Sequence, residues 1–398
     1  MVSAFLLIAA AWAVWPRPEP RRAAVPAPFL DDAPDPIRPS PYRNTDPAVK
    51  YVGDDVCSRC HESIANEFRG HPMGRSMTAA SAAEPKAEGV VLRVADLEYS
   101  VERRDGRVFH RETRRDPSGR EVSTEAHEVP YALGTGARGV AFLAERDGSL
   151  FLSPLGWFTS GPRWDLNPGY RTRNEHFDRP VTAECLFCHA NRVERAGGKD
   201  PVFHGLAIGC ERCHGPGALH AERQETRDGR DLTIVNPADL SPVLRDSVCQ
   251  QCHVRGISRT SRPGRSLTDY RPGLRLDDFL NLVSATADPL SRSLGKGQVE
   301  QMKESRCYEE TEGQLGCISC HAPHRKPAPS ERVAFYRDRC LKCHSHQPCS
   351  LPEPTRLSRN PQNDCVACHM PRNPASDAAH VVTTLHSIPR IAPSATTR

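Results

Sequence analysis

One short string, Cys-x-x-Cys-His, recurs seven times in the chain. Site 1 is Cys57, Cys60 and His61; site 2 is Cys185, Cys188 and His189; site 3 is Cys210, Cys213 and His214. Site 4 is Cys249, Cys252 and His253, and site 5 is Cys317, Cys320 and His321. Site 6 is Cys340, Cys343 and His344, and site 7 is Cys365, Cys368 and His369. Together they use 14 of the 16 cysteines. Two thiols at this spacing can add to the two vinyl groups on one porphyrin edge. The adjacent imidazole then lies under the iron as its proximal ligand, which makes the string the attachment signature of c-type haem. A structural zinc site wants four ligands and has no use for a histidine directly after every second cysteine. Iron–sulfur clusters take four thiolates and leave the same histidines unexplained. A disulfide framework is foreign to a chain of 398 residues. We therefore expect seven covalent haems.

Ten histidines stand outside the motifs: His71, His110, His127, His176, His204, His220, His324, His346, His380 and His386. Seven irons need at most seven sixth ligands, so histidine can supply them all. Methionine is scarce, at five residues. Imidazole on both faces keeps the potential lower than histidine with methionine does, so a low-potential set is expected. The best-placed sixth ligands are His71, His204, His220 and His324. His380, His386 and His346 join the candidate set. His324, three residues after His321, is rigidly offset from it and points to a neighbouring haem. Cys307 and Cys349 are left over, and a disulfide between them is expected in an oxidising compartment.

The elements that must carry these sites follow from pattern and composition. Hydrophobic residues are only 38%, aromatics 6%, and there are 27 Gly and 36 Pro. The expected fold is mainly α with much irregular structure wrapped around seven c-type haems, and a small antiparallel β insert between haem sites 1 and 2. Residues 1–27 read as a signal peptide or N-terminal anchor, because Val2 to Trp15 is apolar but short for a membrane span. Residues 28–50 read as a Pro-rich arm and 51–87 as the site 1 segment. Residues 88–180 form the β-rich insert: Val90, Leu92 and Val94 alternate, and Asp105-Gly106 and Asp147-Gly148 mark tight turns. Sites 2–4 occupy 181–270, a connecting segment 271–306, and sites 5–7 with a tail 307–398. The Gly134-Thr135-Gly136 run lacks the nucleotide-loop pattern and reads as a turn.

The formal charge of +4 is no argument for nucleic-acid binding. Each ferric haem brings two propionates and one positive charge, so seven haems carry the total to about −3. The partners expected instead are redox proteins, such as a quinol oxidase or reductase complex or an outer-membrane conduit. Membrane contact is expected only through the N-terminal segment. Covalent haem attachment implies export, to the periplasm or the cell exterior.

The chain resembles a superfamily of multihaem cytochromes that includes cytochrome c-554, hydroxylamine oxidoreductase and pentahaem nitrite reductase. The likeness is carried by Gly209-Cys210-Glu211-Arg212-Cys213-His214-Gly215-Pro216-Gly217 with His220, by Cys317 to His324, and by Cys365 to Pro371. It implies parallel-stacked and perpendicular haem pairs forming a chain of closely spaced irons. The nitrite reductases use a haem bound through Cys-x-x-Cys-Lys, which this sequence lacks. Nor is any of Tyr131, Tyr170, Tyr270, Tyr308 or Tyr336 marked for the tyrosine cross-link of the hydroxylamine-oxidising class. The leading expectation is single-electron transfer between exported partners, with no catalytic residue. The alternative is an oxidoreductase with one open haem acting on a small nitrogen or sulfur compound, with His127, Tyr131 and His176 as proton donors.

Overall fold

The computed structural model describes residues 35–195, 201–222, 231–254, 258–283, 297–346, 349–374 and 380–389. The apolar N-terminal stretch lies outside them. Of the described residues, 31% are helical and 25% are strand, in several antiparallel sheets. The expectation of a mainly α fold is therefore wrong, for two physical reasons. The haem-motif segments are too short and too often broken by Gly and Pro to build long helices. The alternating region holds far more sheet than a small insert.

In chain order the strands are β1 (Met77–Ala79), β2 (Gly89–Val94), β3 (Leu97–Arg104), β4 (Arg107–Arg115), β5 (Glu121–Glu128), β6 (Tyr131–Leu133), β7 (Gly139–Arg146), β8 (Ser149–Phe158), β9 (Arg163–Leu166) and β10 (Arg179–Pro180). Strands β2-β3-β4-β5 make a four-stranded antiparallel meander. A six-stranded sheet runs β1-β6-β7-β8-β10, with β9 also paired to β8. Two hairpins turn where the sequence placed them. Asp105 and Gly106, and Asp147 and Gly148, all have positive φ, as a two-residue primed turn demands.

Side-chain alternation then decides the packing. Tyr99, Val101 and Val108 from the first sheet share one buried cluster with Phe142, Ala144 and Leu155 from the second. The residues on the opposite side of the same strands, Leu143 and Leu150, join Met77, Val181, Leu186, Ala190 and Val193 in another. That cluster seats the site 2 helix, Ala183–Phe187, on the sheet. Beyond it, Leu267, Tyr270, Leu274, Leu276, Phe279 and Leu280 pack with Phe187 and against Cys188 and Cys252. Two-stranded ribbons pair Arg192–Arg195 with Pro201–His204, Ser258–Ser261 with Leu280–Val283, and Arg372–Pro374 with Val382–Thr384.

The rest of the described chain is short helices. Pro242–His253 is 12 residues long and starts on proline, whose missing N–H costs nothing at a helix start. Arg332–His344 is 13 residues and ends on site 6. Gln298–Lys303 and Arg306–Glu310 are two further short helices, the second capped by Ser305. No helix among the described residues is long and apolar enough to cross a membrane.

Candidate haem sites

Each motif sits on roughly one helical turn. The His61, His214 and His321 amides donate to the carbonyls of Cys57, Cys210 and Cys317 at 3.0, 3.1 and 2.9 Å. That turn brings the first thiol and the imidazole onto one side of the backbone, as attachment and ligation together require. Asp364 caps the site 7 helix, Cys365–His369, by accepting from the Val366 amide.

Buried polar joints fix the sites to one another. Glu211, inside the third motif, accepts the Val52, Gly53 and Gly217 amides at 2.9, 2.8 and 2.8 Å. Asp54 accepts the Cys210 amide at 2.9 Å, so sites 1 and 3 are tied from both directions. Buried Asn44 donates to the His214 and Pro216 carbonyls, which anchors the Pro-rich arm beneath site 3. The Arg212 guanidinium lies 3.8 Å over the Phe187 ring and donates to its carbonyl, joining sites 3 and 2. Gln251 donates to the Arg212 carbonyl, joining sites 4 and 3. Arg245 donates to the carbonyls of Gly313, Gln314 and Leu315, which lead into site 5. Ser76 bonds the His189 carbonyl at 2.8 Å and links site 2 to the sheets.

The thiols report the same neighbourhood. Cys57 is within hydrogen-bonding reach of Cys210, Cys188 of Cys252, Cys249 of Cys317, and Cys340 of Cys365. Cys213 lies near Cys249, and Cys320 near Cys343. Three motif thiols are placed differently. Cys60 is exposed, its amide on the Cys57 carbonyl at 3.3 Å. Cys185 is exposed beside the Thr182 hydroxyl, 3.6 Å from its sulfur. Cys368 is half-buried, with Asn360 Nδ2 at 3.7 Å from its Sγ. For Cys60, Cys185 and Cys368 the motif spacing alone is the ground for expecting a haem link. All the described cysteines are free thiols, Cys307 and Cys349 included, so the pair expected to cross-link is unbonded here. Cys307 neighbours Cys320 and Cys343 instead.

Imidazoles meet across the motifs in three places. The His61 and His220 ring centroids are 6.3 Å apart with planes 15° from parallel. His214 and His324 are 5.9 Å apart at 13°, and His321 and His386 6.2 Å apart at 25°. Two metal–imidazole bonds of about 2 Å plus two ring radii span roughly 6 Å, so each separation is of the length an iron between two imidazoles would need. The tautomers agree. The Nδ1 atoms of His189, His214, His369 and His386 donate to the carbonyls of Ser76, Val235, Pro389 and Thr384 at 3.2, 2.7, 3.0 and 2.9 Å. A carbonyl can only accept, so the proton is on Nδ1 and Nε2 keeps the lone pair that binds metal.

The other candidates form no such ring pair among the described residues, although His71 neighbours His321 and His324. His71 lies 5.8 Å from Phe68 in a near-parallel stack, and its Nδ1 faces the Met73 amide at 3.1 Å. His204 meets Glu194 through Nε2 at 3.4 Å, and His380 meets Asp165 through Nε2 at 2.7 Å. His346 is exposed. The three groups considered as proton donors sit in the sheet region: His127 against Glu125, His176 against Glu112, and Tyr131 edge-on to Phe203. Sequence reading missed the joints made by Glu211, Asp54 and Arg245. Their partners lie far off in sequence, so nothing marked these joints before folding.

Comparison with known proteins agrees with this site. The pattern of the family described as "Cytochrome c554 and c-prime" matches residues 169–215, which hold sites 2 and 3. The doubled CXXCH motif family matches 311–348, which hold sites 5 and 6. Among solved structures, the outer cell wall cytochrome OcwA is similar at 17% identity, with a TM-score of 0.55, over 85% of this chain and 79% of that one. The chain is a multihaem c-type cytochrome. No curated protein matches it. The likeness to OcwA is one of fold. In this cytochrome the motif cysteines are the residues that would hold haem, and the motif histidines would lie beneath the iron.

Proposed function

We propose that this cytochrome is an exported electron carrier holding seven haems, with imidazole on both iron faces at several of them. The carrying observation is the set of three near-parallel imidazole pairs, each joining a motif histidine to a spare one across a gap of 5.9–6.3 Å. The likeness to an outer cell wall cytochrome supports export and redox protein partners. Bound haem would supply a one-electron ferric/ferrous couple. The chain's own residues do the rest. Motif thiols would fix each macrocycle, the paired imidazoles would ligate its iron, and the polar joints hold the sites at set separations. The thiol contacts support a run of sites in the order 1, 3, 4, 5, 6, 7, with site 2 beside site 4. Such a run passes electrons singly from end to end.

The test is haem quantification and ferric spectroscopy on exported, purified holoprotein. Seven haems per chain, low-spin spectra at the paired sites and stepwise one-electron reduction are expected. A haem content below half of that, or high-spin iron throughout, would overturn the proposal.

A further inference from the structure

The imidazoles of the three ring pairs differ in what holds their outer nitrogen. His214 and His386 donate Nδ1–H to the neutral carbonyls of Val235 and Thr384. His321 has the Tyr336 hydroxyl at 3.4 Å. His220 has a carboxylate: Asp231 Oδ2, 2.8 Å from Nδ1. Among the described residues, no other imidazole of these pairs has an acid hydrogen-bonded to it. Glu67 acts on His324 only through space.

The acid is held for this contact. Asp231 Oδ1 accepts both the amide and the hydroxyl of Thr233, at 2.7 and 2.5 Å. Those bonds lock the carboxylate and aim Oδ2 at His220, which extends from the short helix Ala218–Glu222 toward His61. A carboxylate on Nδ1 pulls the proton outward and makes Nε2 a stronger donor to metal. A stronger donor stabilises ferric over ferrous iron and lowers the potential.

We infer that Asp231 is a potential-setting residue, making the haem at site 1 the most reducing of the three paired sites. This rests on the reading of His220 as an iron ligand. Site 1 stands at one end of the run of thiol contacts, next to site 3. A carboxylate there makes the ends of the run chemically unequal, an asymmetry that seven identical motifs do not provide.

The experiment is a spectroelectrochemical titration of the full holoprotein, comparing wild type with Asp231→Asn, Asp231→Ala and Asp231→Glu. The expected result is a positive shift of one component, the site 1 haem, in the Asn and Ala variants. The remaining components stay in place, haem content is unchanged, and Glu restores at least part of the wild-type value. A merely structural role would broaden or move several components, or lower the haem content. His220→Ala, examined by ferric spectroscopy, separates the inference from its premise. Uniform low-spin spectra in that variant would remove the ligand reading itself. A new high-spin haem in His220→Ala, with no component moved in Asp231→Asn, would overturn the inference alone.

Discussion

An imidazole does different work according to where its proton is kept, and this chain shows the extremes. His214 and His386 give their Nδ1 proton to a carbonyl, which leaves Nε2 unprotonated, and each has a second imidazole about 6 Å away. Replacing His324 by alanine removes the ring opposite His214, so one haem should gain a high-spin ferric spectrum absent from wild type. Haem content should hold, because the thioether links are untouched. His110 is the opposite case. It is fully buried between the sheets, 4.7 Å from the Phe142 ring, with Nδ1 on Ser153 at 2.8 Å. Burial first, and then the Arg103 charge, push its pKa down to about 3. The unfolded chain binds a proton there near pH 6.5, whereas the folded chain refuses it. The folded value is the depressed one, so this stabilisation is whole above about pH 6.5 and is lost as pH falls toward 3. Denaturation curves between pH 7 and 4, followed by tryptophan fluorescence, should show falling stability. His110→Gln should flatten that dependence.

Among the elements, the joints between motif segments matter more than the segments. The site 3 helix, Glu211–His214, is only 4 residues and could not persist alone. Glu211 holds it by accepting three backbone amides from both sides of the site 1–site 3 boundary. A charged acceptor contributes about 1.5–3 kcal/mol per bond. Glu211→Gln leaves one oxygen and turns a donor toward amides, so a loss of about 2–4 kcal/mol is expected, read as a lower Tm of the holoprotein. Gly215 has a φ of +76°, and a side chain there would meet Asn44 Nδ2 at 2.5 Å. The Gly-Pro-Gly tract is thus a requirement of the arm passing beneath it. In the sheets, Phe142→Ala should cost about 3–5 kcal/mol, since the ring is 1% exposed and central to the shared cluster.

Over the whole molecule, two kinds of stability coexist. The sheets enclose a side-chain core of their own, in which Tyr99, Phe142, Leu155 and Phe177 are buried. The helical part beyond residue 300 has few buried side chains, and the site 6 helix has none among its described residues. Covalent macrocycles would replace that missing core. Chain made without haem attachment and given limited protease should therefore yield a resistant fragment spanning about residues 75–195. The segment from site 5 onward should be cut. Equal resistance along the chain would contradict this division.

The haem chemistry was readable before any folding, because attachment is local. Two thiols and an imidazole within five residues carry the whole signal, and seven copies leave no competing metal. Local turns were legible for the same reason, as at Asp105-Gly106 and Asp147-Gly148. The balance of sheet against helix was not, because the alternating stretches pair across distances that composition does not record. Which motif a spare histidine would meet was not legible either, although His220 and His324 were already among the best-placed candidates. His220, His324 and His386 face rings distant in sequence, while His204 and His380 look equally suitable in the sequence yet turn to Glu194 and Asp165. Spacing along a chain limits only what neighbouring residues can reach. Which distant imidazole meets which motif is set by how the sheets, the short helices and their buried carboxylates pack together.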